Sequence, residues 1–85
     1  MKRIFKYEIE VKDQITLLMP KNAEIISIQV QRWKPYLWAL IDVDETKTER
    51  YFYLFGTGME VKDGLKYIGS FQMYDGDLVF HLFEV

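Results

Sequence analysis

Residues 70–81 read SFQMYDGDLVFH and contain the clearest structural signal in the chain. Asp75-Gly76 is a two-residue hairpin signature, because a type I′ turn needs positive φ at both central positions. With that turn as the loop, the predicted cross-strand pairs are Tyr74 with Asp77, Met73 with Leu78, Phe71 with Phe80, and Ser70 with His81. The stretch therefore predicts an antiparallel hairpin.

Asp63-Gly64 is a second signature of the same kind. A strand on each side of it would make residues 59–85 a three-stranded antiparallel meander. Just before this region, Gly56-Thr57-Gly58 interrupts an extended stretch and indicates a bulge or a sharp bend.

Earlier in the chain, runs rich in apolar residues, several of them alternating with polar ones, predict further short strands. These segments are residues 3–11, 15–19, 23–31, 36–43 and 50–55. Residues 36–43 (YLWALIDV) are apolar at almost every position, so we expect a central strand covered on both faces. The apolar parity slips at Ile25-Ile26, which indicates a β-bulge or a doubly covered strand.

Six or seven short strands at a spacing of about 8–12 residues are typical of a small sandwich or barrel. No window has the apolar period of a helix. We therefore expect one all-β domain over residues 1–85, antiparallel, with little or no helix. Barrel and sandwich give the same alternation, so the choice between them stays open.

Composition excludes several classes of function. The chain has 85 residues and a net charge of -2, which argues against a binder of duplex nucleic acid. It has no cysteine, so disulfides, zinc–thiolate sites and cysteine nucleophiles are impossible. The lack of disulfides in so small a domain favours a reducing cytoplasm. We expect no signal peptide and no membrane span, because no apolar run is long enough.

His81 is the only histidine, and no cysteine, second histidine or serine stands at a recognisable spacing from it. We expect it to be a hydrogen-bonded structural residue. An enzyme would need His81 to lie beside Asp42 or Asp44, and nothing in the sequence predicts that these side chains lie close together. The prediction is therefore no catalytic residue, no metal and no cofactor.

The stretch with the strongest binding character is Arg32-Trp33-Lys34-Pro35. A tryptophan between two cations at a predicted turn offers a flat apolar surface, and Trp and Arg are enriched at interface hot spots. The alternative is that Trp33 folds back over the adjacent sheet edge. Aromatic residues make up 16% of the chain, more than one small core needs, so a homo-oligomer is a further possibility.

A function of another class is a sponge for a signalling nucleotide, held by an oligomer. Its phosphate would be bound by cationic side chains and glycine-flanked backbone N–H groups, and its base would stack on tyrosine. The residues for this alternative are Arg50, Lys66, Gly56, Thr57 and Gly58 for the phosphate, with Tyr51 or Tyr53 for the base.

The segments LMPKNAEIISIQVQ, YLWALID, FGTGMEV, YIGSF and LVFHLFEV together resemble a family of small uncharacterised proteins of phages and prophages. The shared features are Pro20, Ala23, Leu37-Trp38-Ala39, Asp42, Thr57-Gly58, Tyr67-Ile68-Gly69, His81 and Phe83-Glu84. Such families often have glycine where this chain has Trp33. The resemblance implies a phage accessory protein in the host cytoplasm and implies no reaction. We therefore expect a non-enzymatic module that binds a host protein through Arg32, Trp33, Lys34 and Pro35.

Overall fold

The computed structural model describes all of residues 1–85 and contains seven strands and no helix. The strands are β1 (Lys2–Glu8), β2 (Gln14–Pro20), β3 (Glu24–Gln31), β4 (Lys34–Asp42), β5 (Lys47–Gly56), β6 (Lys66–Met73) and β7 (Leu78–Glu84). The all-β prediction is confirmed. The structure offers no helix of the length and apolarity that crossing a bilayer requires.

The strands form two antiparallel sheets that share one core. The three-stranded sheet has the order β1-β4-β3, and the four-stranded sheet has the order β2-β5-β7-β6. Both sheets contribute to one core, whose buried members are Ile9, Ile15, Met19, Ala23, Leu37, Ala39, Ile41, Phe52, Leu54, Phe71 and Leu82. The arrangement of two antiparallel sheets around one core is consistent with a small barrel or sandwich, and no closed barrel is formed.

Strand β4 is the central strand of its sheet, as its apolar sequence predicts. Its inward residues Leu37, Ala39 and Ile41 are buried, whereas the outward Tyr36 and Trp38 are only half-buried. The expectation that both faces are covered is therefore wrong, because no second layer lies outside this sheet. The two outward rings instead shield each other, with centroids 6.0 Å apart.

The two sheets approach closely where β3 lies against β6. The predicted irregularity in β3 is confirmed as a register shift between Ile25 and Ser27. β6 carries a second shift, between Tyr67 and Gly69. A Cβ atom at Gly69 would lie 3.2 Å from Cδ1 of Ile28, so glycine allows this close approach, and a larger residue would require the Ile28 side chain to shift by a few tenths of an ångström.

The C-terminal hairpin has the predicted register. Met73 pairs with Leu78, Phe71 with Phe80 and Ser70 with His81. The turn itself differs from the prediction, because φ is positive at Tyr74 and Asp75 as well as at Gly76. Strand pairing ends one residue earlier than expected, and the backbone N–H of Asp77 donates to the carbonyl oxygen of Tyr74 at 3.0 Å.

The predicted three-stranded meander over residues 59–85 is wrong. Residues 57–65 form no strand, and Asp63-Gly64 is a turn within this connection. The reason is topological. Both β5 and β6 are antiparallel to β7, so β5 and β6 run in the same direction. Their connection must return along the sheet, and a tight hairpin is impossible.

The connection between β5 and β6, residues 57–65, crosses the outer face of the four-stranded sheet. Nζ of Lys62 lies 5.1 Å from the ring centroid of Tyr53, which points outward between the buried Phe52 and Leu54. Sδ of Met59 accepts a hydrogen bond from the backbone N–H of Gly56 at 3.1 Å. We call residues 57–65 the crossover; nine residues in extended form span up to about 30 Å, enough for the return path.

Candidate functional site

The turn between β3 and β4 holds a tryptophan in an unfavourable backbone conformation. Gln31 pairs with Lys34, so Arg32 and Trp33 are the only loop residues. Their φ angles are 52° and 71°, which makes a type I′ turn. Non-glycine residues pay about 1–2 kcal/mol for this left-handed region, and Asn-Gly is the favoured pair. Turn geometry alone therefore does not explain Arg and Trp at these positions.

Trp33 does not fold back over the sheet, because 74% of its surface is exposed. Arg32 and Lys34 are exposed beside it, with Nζ of Lys34 at 3.9 Å from a carboxylate oxygen of Glu8. Pro35 is buried within β4 and offers no surface. Of the four residues predicted for the contact loop, three are available for contact.

The turn between β6 and β7 presents a second aromatic side chain in the same way. Tyr74 has a φ of 54° and is 63% exposed, and Asp75 follows with a φ of 53°. The backbone N–H of Gly76 donates to the carbonyl oxygen of Met73 at 3.2 Å and closes the turn. This loop, like the first, carries a bulky ring where glycine or asparagine is the cheaper choice.

The two turns flank one cleft of about 410 Å³. Its lining residues are Val30, Trp33, Gln72, Met73, Tyr74, Asp75 and Gly76. The cleft exists because β3 and β6 lie side by side and both end there, which the small residue Gly69 permits. We call this the hairpin cleft.

The hairpin cleft combines aromatic, apolar and polar side chains. Val30 and Met73 contribute apolar side chains to its lining, and Trp33 and Tyr74 contribute aromatic rings. Its volume lies in the range of ligand pockets, about 300–1,000 Å³. Its lining has no histidine, serine or cysteine, so it offers no nucleophile or general base of those types.

His81 connects neighbouring parts of the fold through hydrogen bonds that involve both of its ring nitrogens. Its Nδ1 lies 2.7 Å from Oγ of Ser70, and its Nε2 lies 2.9 Å from Oγ1 of Thr57. The hydroxyl of Tyr67 lies 2.7 Å from the same Ser70 oxygen. Both ring nitrogens are therefore occupied, and the chain of hydroxyls joins β6, β7 and the crossover.

Asp42 and Asp44 do not meet His81. They lie at the end of β4 in the other sheet, where both contact the amine of Met1 at 3.3 and 3.4 Å. The backbone N–H of Asp44 donates to Asp42, and together with the amine it holds the pKa of Asp42 below its usual value. An enzyme of the kind considered would need His81 beside one of these carboxylates, and the structure places them apart, in different sheets.

The residues of the nucleotide alternative do not form one site. Arg50 points inward, where it binds Glu84, and it shares a depression with Lys66. Tyr51 and Tyr53 point outward and line a different depression. The hydrogen bond to the carboxylate of Glu49 raises the pKa of Tyr51.

The glycine-flanked segment of that alternative has little free backbone to offer. The N–H of Gly56 is taken by Met59, and that of Thr57 donates to the carbonyl oxygen of Val79 at 3.3 Å. Gly58 has a φ of 92°, so its role is to make the bend with which the crossover leaves β5.

Sequence reasoning missed Tyr74, Met73 and Val30 as cleft residues. The sequence did contain a signal for Tyr74. A ring directly before Asp75-Gly76 lies in the hairpin loop, where it cannot be buried in the core and is left exposed. The sequence could not predict that this loop lies beside the Trp33 turn, since residues 33 and 74 come to one cleft only through the packing of β3 against β6.

Comparison with known proteins gives one match. No curated protein and no solved structure matches the chain. A family model described as "Domain of unknown function (DUF7352)" matches residues 1–85. Because the match covers the whole chain, the protein belongs to the DUF7352 family of domains of unknown function.

Proposed function

We propose that the protein is a non-enzymatic binding module that holds a segment of another protein in the hairpin cleft. The observation that carries the proposal is the pair of exposed rings, Trp33 and Tyr74, each in a left-handed turn and both beside one cleft. Strained backbone persists where the surrounding structure enforces it, and it clusters at functional sites.

The chemistry of the cleft supports a protein ligand. Trp and Tyr are enriched among residues that dominate interface energies, and they cluster in pockets that lose all their water on binding. An apolar side chain of the partner would enter between the rings, over Val30 and Met73. Asp75 lines the cleft and Arg32 directly precedes Trp33 in its turn, so polar contacts to these residues would set the orientation of the bound segment.

The family resemblance gives this proposal a biological setting. A phage or prophage accessory protein would act in the cytoplasm of its host, so the partner would be a host protein. Such binding would inhibit or redirect the partner without any reaction.

The test compares variants of the turn residues in binding to a partner isolated from host lysate. Trp33→Gly keeps the turn geometry, because glycine adopts the left-handed region freely. We expect it to weaken binding about 30-fold, the effect of losing a hot spot worth about 2 kcal/mol. Tyr74→Asn should weaken binding in the same direction. Isothermal titration calorimetry with purified partner measures both.

The matched control is Tyr51→Ala, which removes an exposed aromatic side chain from the outer face of β5. It should bind as the wild type does. Wild-type affinity in the variant that combines Trp33→Gly with Tyr74→Asn would remove the hairpin cleft from consideration.

A further inference from the structure

Strand β1 is an edge strand that extends beyond the packed sheets. It pairs only with β4. Phe5 lies opposite the fully buried Ala39 on the inward side, yet 42% of its surface is exposed. Ile4, on the outward side, is 59% exposed. The core therefore covers β1 only near Tyr7, and apolar side chains remain exposed on both faces of the strand around Ile4 and Phe5.

The hydrogen-bonding pattern shows which backbone groups of β1 are unpaired. The N–H of Val43 donates to the carbonyl of Met1, and the N–H of Ile9 donates to the carbonyl of Pro35. In an antiparallel pair, alternate residues bond to the partner strand. The backbone N–H and C=O groups of the odd-numbered residues of β1 thus point toward β4. The backbone N–H and C=O groups of Lys2, Ile4, Lys6 and Glu8 point out of the free edge.

Free edges are commonly protected by lysine side chains. Lys6 does not act in this way. Its Nζ donates to Oε1 of Gln31 at 3.0 Å and lies 4.4 Å from the ring centroid of Tyr36. The side chain thus reaches back across its own sheet and leaves the middle of the edge accessible.

We propose that the free edge of β1 binds the β1 edge of a second copy of this chain, antiparallel, with the two-fold axis at Phe5. In this register Lys2 lies opposite Glu8 of the other copy, and Ile4 lies opposite Lys6. All four are residues whose backbone groups point outward, so ladder hydrogen bonds can form. The two three-stranded sheets then join into one sheet of six strands.

Charge selects this register over its neighbours. Shifting the axis to Ile4 places Lys2 opposite Lys6, and shifting it to Lys6 places two Lys6 side chains opposite each other. Like charges directly opposite are unfavourable, and opposite charges are favourable. The register centred on Phe5 gains two Lys2–Glu8 pairs and brings the two exposed Phe5 rings together on the inward side.

Charge reversal tests the register. Lys2→Glu alone and Glu8→Lys alone place like charges opposite each other twice per dimer. Each should raise the dimer dissociation constant about tenfold, as expected for two pairs at 0.2–1 kcal/mol each. The double variant Lys2→Glu with Glu8→Lys should restore dimerisation. Glu10→Lys, which changes the same charge outside the strand, should leave it unchanged.

Ile4→Pro tests the use of the backbone. It removes an N–H that points to the free edge and is not bonded to β4, so β1 can remain in its sheet while the dimer is lost. Sedimentation equilibrium should give the wild type a mass approaching twice 10.2 kDa at high concentration. A monomer at every concentration overturns the proposal, as does a dimer that tolerates Ile4→Pro or is not restored by the double charge reversal.

The dimer and the cleft are tested independently. The hairpin cleft lies beside β3, at the opposite edge of the three-stranded sheet from β1. Trp33→Gly should therefore leave the dimer mass unchanged, and Ile4→Pro should leave partner binding by each protomer unchanged.

Discussion

At the scale of single residues, the notable feature is the placement of aromatic side chains in left-handed turns. Trp33 and Tyr74 both adopt positive φ, and neither ring enters the core. Their exposed surfaces contribute little to folding, while their backbone conformations cost free energy. This combination of backbone strain and exposure is the basis on which we propose that the two residues bind a partner.

Replacing Trp33 with glycine should therefore stabilise the protein. We expect Trp33→Gly to raise the free energy of unfolding by about 1 kcal/mol, since glycine removes the clash of Cβ in the left-handed region. Trp33→Ala keeps that Cβ and is the matched control, for which no gain is expected. Urea unfolding measures both. A Trp33→Gly variant less stable than Trp33→Ala would show that the ring contributes to folding.

At the scale of elements, the crossover is the unusual part of the topology. Residues 57–65 connect two strands that run in the same direction with another strand between them, and they form no strand of their own. They are held by a few contacts, of which the bond from Thr57 to His81 is the first along the chain. His81 thus serves to fix the crossover on the sheet.

Thr57→Val should loosen the crossover while the core stays intact. Valine has the shape of threonine and lacks the hydroxyl, so Nε2 of His81 loses its partner. We expect a loss of about 1 kcal/mol in the free energy of unfolding and faster amide hydrogen exchange in residues 58–65. Thr16→Val, at an exposed position of β2, should change neither. Unchanged exchange in the crossover would contradict this role of Thr57.

At the scale of the whole molecule, one polar cluster joins the two sheets. Arg50 points inward from β5 and binds both carboxylate oxygens of Glu84 on β7, at 2.6 and 2.7 Å. The same guanidinium donates to the carbonyl oxygen of Ala23, just before β3. The ion pair is partly buried, and its hydrogen bonds raise the pKa of Arg50 further above its already high value.

Glu84→Gln should weaken this connection between the sheets. The change leaves a partly buried guanidinium without its carboxylate, and we expect a loss of about 2–3 kcal/mol in the free energy of unfolding. Since the raised pKa keeps Arg50 charged well beyond pH ~10, the loss should be the same in neutral and mildly alkaline buffer. Glu60→Gln, at an exposed position in the crossover, is the control. Equal denaturation midpoints for the two variants would contradict the argument.

Much of the fold follows from local patterns. The alternation over residues 3–11, the continuous apolar run of β4 and the Asp75-Gly76 signature predict strands and one hairpin register, because side-chain period and turn chemistry act over a few residues. The turn at residues 32–35 is predicted locally in the same sense, but the sequence left open whether Trp33 folds back over the sheet. The pairing of Gln31 with Lys34 decides this, because it leaves a two-residue loop from which the ring is exposed.

Tertiary structure alone decided the order of the strands and the site. The insertion of β7 between β5 and β6 turned the expected third strand of the meander into the crossover, an outcome that depends on pairing between distant residues. The hairpin cleft likewise needs two bulged strands to meet across Gly69, which brings Trp33 and Tyr74 together from positions far apart in the chain. Local residue preferences carry no information about such long-range packing, because its free energy comes from contacts that exist only after both sheets have formed.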